Sequence, residues 1–225
     1  MARNSPIARA KAAELDARRD VIDAALAMSR QGLSPGRSGN VSRRWNEGML
    51  ITPSGMAYAA LVPDDIVFVN PDGEAKGRCK PSSEWLFHLG VYAARADMHA
   101  VVHTHSLHAV VLACAGRSIP AFHYMVAAAG GADIPCVPYA TFGTKALARH
   151  VALGLAHRNA CLMAHHGQIA IGTTLAGALE LAAEVETLAE QYYKVLTLGR
   201  PALLGAAEMA EVLERFKSYG QKAQG

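Results

Sequence analysis

Short apolar runs of strand length alternate along this chain with longer segments whose apolar residues recur at helical spacing. The strand-like runs cover residues 41–44, 49–52, 66–70, 100–105 and 160–171, the last interrupted at Gly167, and the helix-like segments cover residues 8–31, 84–95, 107–115, 175–198 and 207–219. The turn at 46–48 joins the first two runs and predicts a hairpin. The alternation predicts an α/β protein, and the hairpin argues against an all-parallel sheet.

Composition limits the classes of partner that this chain can have. Its 225 residues are 51% apolar and 18% charged, which predicts one globular domain with ample core. The 22 basic residues are interspersed with 19 acidic ones, so no basic stripe supports a nucleic-acid partner. No apolar run approaches the roughly 18 residues of a membrane span, and no signal-peptide core is found, so we expect a cytoplasmic protein without a membrane partner. The four cysteines are widely spaced and are expected to be free thiols.

His103 and His105 lie two residues apart on a predicted strand. Side chains at positions i and i+2 of a strand project from the same face, so the two imidazoles can share one metal ion. The spacing by itself fits two hydrogen-bonded structural histidines equally well. Other residues must therefore decide whether a metal binds here.

A second pair, His165 and His166, also ends an apolar strand. Adjacent strand residues face opposite sides, so only one of the two can join a site with the first pair, and periodicity does not say which. Taken alone, either residue is better explained as a satisfied core histidine. A shared site gains support because both histidine groups end apolar strands, where open α/β sheets form ligand sites. Three imidazoles and one carboxylate complete a tetrahedral zinc shell, and Glu84 is the best carboxylate candidate.

Glu84 follows Ser82 and Ser83 at a predicted helix N-terminus, where backbone N–H groups and the helix dipole favour an anion such as phosphate. Turns of small residues at 39–40 and 54–55 also let backbone amides approach an anion closely. Taken by itself, the segment is better explained as an ordinary capping segment, with Ser82 or Ser83 as the N-cap. Only together with the histidines do these residues become candidate phosphate ligands.

The order of these residues resembles the class II aldolase/adducin family over nearly the whole chain. The resemblance is carried by residues 38–42 (SGNVS), 49–55 (MLITPSG), 80–85 (KPSSEW), 101–105 (VVHTH), 118–125 (SIPAFHYM), 134–144 (IPCVPYATFGT) and 164–167 (AHHG). It implies a single domain over residues 1–225 with a mixed, largely antiparallel central sheet flanked by helices. It also implies one Zn²⁺ per subunit, or another divalent ion such as Mn²⁺ or Co²⁺, with the ligands Glu84, His103, His105 and His166.

The resemblance further implies reversible cleavage of a ketose 1-phosphate, of the L-fuculose 1-phosphate type, to dihydroxyacetone phosphate and a small aldehyde. Phe142 matches a residue on the aldehyde side of the family's site, and Tyr124 and Tyr219 match catalytic tyrosines, Tyr124 acting from a neighbouring subunit. A homotetramer with active sites at its subunit interfaces is therefore expected. The family's phosphate pocket corresponds to Gly39, Asn40, Ser54, Gly55, Ser82 and Ser83.

Other activities remain open at this point. The substrate can equally be 5-deoxyribulose or 5-methylthioribulose 1-phosphate, and related family members are sugar-phosphate epimerases and dehydratases. The epimerases carry aspartate after the paired serines, so Glu84 favours an aldolase. A non-catalytic interaction domain, like the head of adducin, loses the metal ligands, whereas all four are present here. Four positions differ from a close relative: Arg37-Ser38 replaces Thr-Ala, Ser54 replaces a threonine and Thr104 replaces an asparagine.

Overall fold

A computed structural model describes residues 5–217 of the chain. This part contains six α-helices and ten strands. The helices are α1 (Pro6–Arg30), α2 (Trp85–Ala94), α3 (Leu107–Cys114), α4 (Lys145–Gly154), α5 (Leu175–Leu198) and α6 (Ala206–Phe216). The strands are β1 (Asn40–Trp45), β2 (Gly48–Ile51), β3 (Val67–Val69), β4 (Ala75–Lys76), β5 (Ala100–Thr104), β6 (Ile119–Pro120), β7 (Asp133–Ile134), β8 (Cys136–Val137), β9 (Ala160–Met163) and β10 (Gly167–Gly172). Short 3₁₀ segments lie at Tyr58–Ala60, Pro63–Asp65 and Tyr124–Ala129.

Eight of the strands form one sheet in the order β4-β3-β2-β1-β5-β10-β9-β8. Each neighbouring pair is antiparallel except β8 and β9, which are parallel. The strands β6 and β7 form a separate two-stranded ribbon. The predicted fold class is confirmed: a single domain with a mixed, largely antiparallel central sheet and helices packed on it.

Helices cover both faces of the sheet. Along β5, Ala100 and Val102 belong to a core shared with α1 and α5, whereas Val101 between them belongs to a second core shared with α2 and α4. Successive side chains of a strand point to opposite faces, so a strand covered on both sides is apolar throughout. His103 lies on the Val101 side and contacts Phe87 of α2 edge-on, with the ring centroids 5.4 Å apart. One predicted ligand is thereby fixed on the α2 face of the sheet.

The interpretation of residues 160–171 as one interrupted strand is wrong. β9 and β10 are two antiparallel strands of a hairpin, and His165 in the connecting turn has a φ of 56°, in the left-handed region. Nearly every residue of both strands is buried. The run therefore lacks the polar alternation that would have marked a chain reversal. The other predicted hairpin, between β1 and β2, is confirmed.

The segment before α2 also differs from the prediction. Glu84 is the N-cap residue, so neither Ser82 nor Ser83 caps the helix, and Ser82 Oγ instead accepts a hydrogen bond from the Glu84 N–H at 3.3 Å. The last helix is found as α6, while Tyr219 lies outside the described residues. α4 and the short strands β4, β6, β7 and β8 were not predicted. Within residues 5–217, no helix combines the length and the apolar character that crossing a membrane requires.

Candidate metal centre and substrate cavity

Three segments of the chain meet at the end of β5. The strands β1 and β10 flank β5 and both run antiparallel to it, so each of them starts where β5 ends. Asn40 at the start of β1 is paired with His103. The turn between β9 and β10 brings His166 to the same edge, and the N-terminus of α2 brings Glu84. Residues far apart in sequence are thus neighbours here because of strand pairing.

Four side chains converge at this edge: Glu84, His103, His105 and His166. Their candidate ligand atoms all lie within 4.8 Å of one another. The two Glu84 oxygens lie 3.1 Å from His103 Nε2 and 3.1 Å from His166 Nε2, and the Nε2 atoms of His103 and His105 are 3.0 Å apart. The three ring centroids are 4.8, 4.9 and 4.9 Å apart, so the rings are grouped around a common centre. The structure brings together the four residues predicted as ligands and selects His166 from the second pair.

The atoms that face one another in this cluster carry more lone pairs than protons. His103 Nδ1 lies 2.8 Å from the Gln168 carbonyl oxygen, which can only accept, so Nδ1 holds the ring proton of the neutral imidazole and Nε2 is left bare. Burial acts to raise the pKa of Glu84, but the positive charge that His103 and His166 carry when protonated outweighs it and holds this pKa below its ordinary value of 4.5. Burial, with a smaller effect from the other two imidazoles, lowers the pKa of His105 to about 3.

This set of donor atoms fits a divalent cation. Glu84 Oε1 is buried and has no hydrogen-bond partner among the described residues, although it lies 3.1 Å from His166 Nε2. Such an unpaired buried carboxylate oxygen is costly unless a cation compensates it. Tetrahedral zinc, with ligands at about 2.0–2.1 Å, holds its ligand atoms roughly 3.3 Å apart, which is close to the contacts found here. The four residues can therefore hold a metal ion.

A cavity of about 340 Å³ opens beside the cluster. The predicted substrate-binding residues all line it: Gly39, Asn40, Ser54, Gly55, Ser82, Ser83 and Phe142. Arg37, Tyr139 and His165 line it as well, and no role was predicted for them. His165 packs edge-on against Tyr139, with the ring centroids 6.0 Å apart, so His165 forms part of the cavity wall instead of joining the cluster.

The cavity wall offers hydrogen-bond donors to an anion. The backbone N–H groups of Gly55 and Ser83 make no hydrogen bond to another residue within 5–217. Arg37 adds a cation, and its Nη1 donates to the Gly55 carbonyl oxygen at 2.9 Å. The Gly39 N–H, by contrast, is already used, because it donates to Ser34 Oγ at 2.7 Å. Open amides and a guanidinium beside a metal cluster suit a ligand that carries a phosphate.

Glycine at position 39 has a different structural reason. A Cβ there would lie 2.6 Å from the carbonyl oxygen of His103 and 2.5 Å from Ser34 Oγ, both too close for a real contact. Only a residue without a side chain lets β1 approach the end of β5 so closely. Gly39 therefore sets the distance between the strand that carries Asn40 and the strand that carries His103.

Of the two predicted aromatic site residues that the structure describes, only one lines the cavity of its own chain. Tyr124 is 51% exposed, begins the third 3₁₀ segment and does not line the cavity. Phe142 lines the cavity and is 64% exposed. A role for Tyr124 in a neighbouring subunit stays a prediction, as does the role of Tyr219 outside the described residues.

His88, which was missed in the sequence analysis, contacts the cavity residue Asn40 from the protein interior. His88 lies one helical turn after Glu84 on α2, is fully buried, and has its Nε2 2.6 Å from Asn40 Oδ1. The available signal was its spacing of four residues from Glu84, which puts both side chains on one face of a helix. Without the strand pairing, nothing indicated that Asn40 would face it.

Fold and cluster together define a metal-binding α/β protein with a cavity suited to a small anionic ligand. Residues 19–193 match the family model described as Class II Aldolase and Adducin N-terminal domain. The chain therefore belongs to the class II aldolase/adducin family, whose aldolases are metal-dependent lyases.

Several relatives match over almost their full length. A protein of Rhodospirillum rubrum, named 5-methylthioribulose-1-phosphate/5-deoxyribulose-1-phosphate aldolase, is 55% identical over 207 residues, which cover 92% of this chain and 94% of the relative. L-Fuculose phosphate aldolase of Escherichia coli K12 is 50% identical over 207 residues, with coverage of 92% and 96%. A solved structure of an L-fuculose 1-phosphate aldolase matches with a TM-score of 0.87 and 37% identity, covering 90% of this chain and 96% of that one. These relatives place the chain among the aldolases of the family, so it is an enzyme.

Proposed function

We propose that this protein reversibly cleaves a ketose 1-phosphate to dihydroxyacetone phosphate and a small aldehyde, with one zinc ion bound per subunit. The observation that carries the proposal is the convergence of Glu84 and three histidines beside a cavity with open anion donors. A ketose 1-phosphate carries its keto oxygen and a hydroxyl oxygen on the carbons next to the phosphorylated one, so its site needs a metal and anion donors side by side. The aldolase relatives support the same reaction.

His103, His105, His166 and Glu84 would hold the ion, and this mixture of nitrogen and carboxylate ligands is typical of catalytic zinc. When bound, zinc supplies Lewis acidity that stabilises the negative charge developing on the substrate oxygens as the carbon–carbon bond breaks. Mn²⁺ and Co²⁺ accept similar ligands, so the ion present must be measured.

Glu84 is proposed to carry the proton that completes cleavage. Breaking the bond leaves an electron pair on a carbon of the dihydroxyacetone phosphate fragment, and that carbon must gain a proton. Glu84 Oε2 accepts a hydrogen bond from Asn40 Nδ2 at 3.0 Å, whereas Oε1 has no partner among the described residues and is available to hold the proton. Tyr124 of a neighbouring subunit would exchange the other proton with the hydroxyl group that becomes the aldehyde oxygen.

The phosphate is proposed to bind against residues 54–55 and 82–83. This assignment is supported by the open N–H groups of Gly55 and Ser83 and by the nearby guanidinium of Arg37. Charge-assisted hydrogen bonds to such donors are the strong ones, so they orient the substrate as well as hold it. Phe142 and Tyr139 add aromatic surface to the cavity, which suits an apolar aldehyde end.

Three substrates deserve direct comparison: L-fuculose 1-phosphate, 5-deoxyribulose 1-phosphate and 5-methylthioribulose 1-phosphate, because the relatives carry these names. An epimerase or dehydratase acting on such a sugar phosphate is the alternative within the same scaffold. This alternative is supported by the likeness to a solved Escherichia coli structure described as a putative aldolase/epimerase/decarboxylase, which matches with a TM-score of 0.80 and 30% identity. Glu84 favours the aldolase, because the epimerases that resemble this chain carry aspartate at that position.

The test incubates the purified protein with each sugar phosphate and measures release of dihydroxyacetone phosphate by its enzyme-coupled reduction with NADH. Metal content is determined by mass spectrometry, and a chelated sample with and without added Zn²⁺ is the matched control. We expect equal amounts of the two products, loss of activity on chelation and recovery with zinc. An isomeric ketose phosphate or a dehydrated product, without dihydroxyacetone phosphate, would establish the alternative. Turnover by metal-free protein would contradict the zinc mechanism.

We also propose a homotetramer with active sites between subunits. The half-exposed Tyr124 supports this, because a catalytic tyrosine remote from its own cavity must act on another one. Sedimentation measurements on active protein test it, and an active monomer would contradict it. The cytoplasmic location stays a prediction.

A further inference from the structure

A line of buried polar side chains runs from the protein interior to Glu84. Glu84, His88 and Tyr92 are spaced four residues apart and share one face of the α2 region, and Asn40 and Ser42 are spaced two apart and share one face of β1. The two sets interlock between helix and strand, and we call the five residues the polar ladder. None of them is more than 5% exposed, and many of the buried residues in this layer are apolar.

Each step of the polar ladder is a hydrogen bond of ordinary length. Asn40 Nδ2 lies 3.0 Å from Glu84 Oε2, and Asn40 Oδ1 lies 2.6 Å from His88 Nε2. His88 Nδ1 lies 2.7 Å from Ser42 Oγ, which lies 2.8 Å from the Tyr92 hydroxyl. The polar ladder thus joins Glu84 to a tyrosine two helical turns away without a gap.

The chemistry of its ends forces the direction of every bond. An ionised carboxylate can only accept, so the Asn40 NH₂ group must face Glu84 and the amide oxygen must face His88. His88 Nε2 must then donate, which leaves Nδ1 as an acceptor for the Ser42 hydroxyl. Ser42 has only one hydroxyl proton to give, so Tyr92 donates to Ser42. Burial lowers the pKa of His88 to about 3, which keeps the ring neutral as this order requires.

Apolar residues of α2 already pack this helix on the sheet. Phe87 and Val91 of the same helix lie in the apolar core beneath it and are 1% and 0% exposed. Buried polar groups weaken a core unless every one of them is satisfied, and apolar residues of similar volume would fill the space at no such risk. What the polar ladder adds is a fixed orientation for the Asn40 amide and, through it, for one oxygen of Glu84.

We infer that His88 is a positioning residue for Glu84. By donating to Asn40 Oδ1, it keeps the Asn40 amide from rotating by half a turn. Rotation would set Oδ1 against Glu84 Oε2, two acceptors facing each other, and would push the carboxylate away from His103 and His166. The inference rests on the proposed proton-carrying role of Glu84, since a misplaced carboxylate matters most when it must reach a substrate carbon.

The test compares His88→Phe, which keeps the ring volume but cannot donate, with His88→Gln, whose amide can still donate to Asn40. Val91→Ala is the matched control, because it weakens the same helix without touching the polar ladder. For zinc-saturated His88→Phe we expect kcat to fall about 10- to 100-fold with KM for the ketose 1-phosphate within about twofold, since small misplacements of a catalytic group have effects of this size. His88→Gln should recover most of kcat. Val91→Ala should lose stability but keep kcat.

Crystal structures of the wild type and of both His88 variants give a readout that does not depend on activity. We expect the Asn40 amide and the Glu84 carboxylate to be displaced in His88→Phe and unchanged in His88→Gln. An unmoved Asn40–Glu84 pair in His88→Phe, or a loss of kcat in His88→Phe that Val91→Ala matches or that His88→Gln does not recover, would overturn the role of His88. If wild-type protein cleaves none of the sugar phosphates, the aldolase proposal fails while the crystallographic comparison still decides the inference. Should His88→Phe not fold, Ser42→Ala removes the donor to His88 Nδ1 and must itself lower kcat without raising KM.

Discussion

Replacing Glu84 by glutamine is the substitution whose consequence the structure defines most fully. The amide has nearly the volume of the carboxylate but cannot act as a base. Asn40 Nδ2 donates to the Oε2 position, so the glutamine oxygen must stay there and its NH₂ group must take the Oε1 position. That position lies 3.1 Å from His166 Nε2, where the new NH₂ group can donate to the lone pair that a metal ion would use. The variant therefore loses its proton carrier and binds metal more weakly.

The size of the effect follows from these two losses. General acid–base catalysis contributes a factor of about 10²–10⁴ in rate, so kcat of Glu84→Gln should fall by about this factor. The loss corresponds to roughly 3–5 kcal/mol of transition-state stabilisation. The loss must be measured at saturating Zn²⁺, so that weaker metal binding does not add to it. Folding should be intact, because the bond to Asn40 is kept.

The assay is the coupled measurement of dihydroxyacetone phosphate, run beside circular dichroism and metal analysis. Glu186→Gln is the matched control: this carboxylate also lies beside a histidine, at 2.9 Å from His108 Nδ1, but away from the cavity. We expect full activity for Glu186→Gln. A zinc-saturated Glu84→Gln enzyme with kcat within about tenfold of the wild type would refute the proton-carrying role.

Three further predictions concern the same region. Gly39→Ala places a Cβ 2.6 Å from the His103 carbonyl oxygen and should lower the free energy of unfolding by about 1–3 kcal/mol and remove most of the activity. The control is Gly90→Ala, whose Cβ would meet only ordinary contacts from 3.7 Å, so it should change neither. Urea unfolding and the coupled assay check both variants. Arg37→Ala should raise KM about tenfold and weaken inhibition by inorganic phosphate in parallel, with kcat unchanged, and an unaltered KM would remove Arg37 from phosphate binding. Because the folded-state pKa of His88, about 3, lies below the ordinary 6.5, the unfolded chain binds more protons between these values; the stabilisation is complete above about pH 6.5 and is lost on acidification by up to about 1.4 kcal/mol per pH unit. In urea unfolding of metal-free protein from pH 7 to 5, the wild-type slope should exceed that of His88→Gln by up to this amount, because the lowered pKa of His105 contributes equally to both. Equal slopes would argue against the contribution of His88.

Local sequence patterns predicted the elements whose signal is complete within a few residues. The i, i+2 spacing of His103 and His105 indicated a shared face because a strand repeats every two residues. The apolar spacing of α5 indicated a helix because an α-helix repeats every 3.6 residues. The residues around the cavity were found largely through the family resemblance, since short turns of small residues are common in proteins without any ligand.

Local sequence patterns did not predict features that depend on contacts with distant segments of the chain. The run at 160–171 is apolar on both sides of its turn because helices bury both faces of the sheet, so no local signal marked the hairpin. His165 and His166 could not be told apart by periodicity, and the turn resolved them: His165 takes a positive φ and packs against Tyr139, while His166 faces Glu84. His88 stayed unnoticed because its partner comes from a strand 48 residues away.

By itself the sequence determined which residues can chemically bind a cation and an anion, and which stretches become helix or strand, because both properties reside in single side chains and short repeats. Only the tertiary structure decided that β1, β5 and β10 are neighbours, with Asn40 beside His103 and the β9–β10 turn at the same edge. The physical reason is that strand pairing joins distant segments through backbone hydrogen bonds that no side-chain pattern specifies on its own.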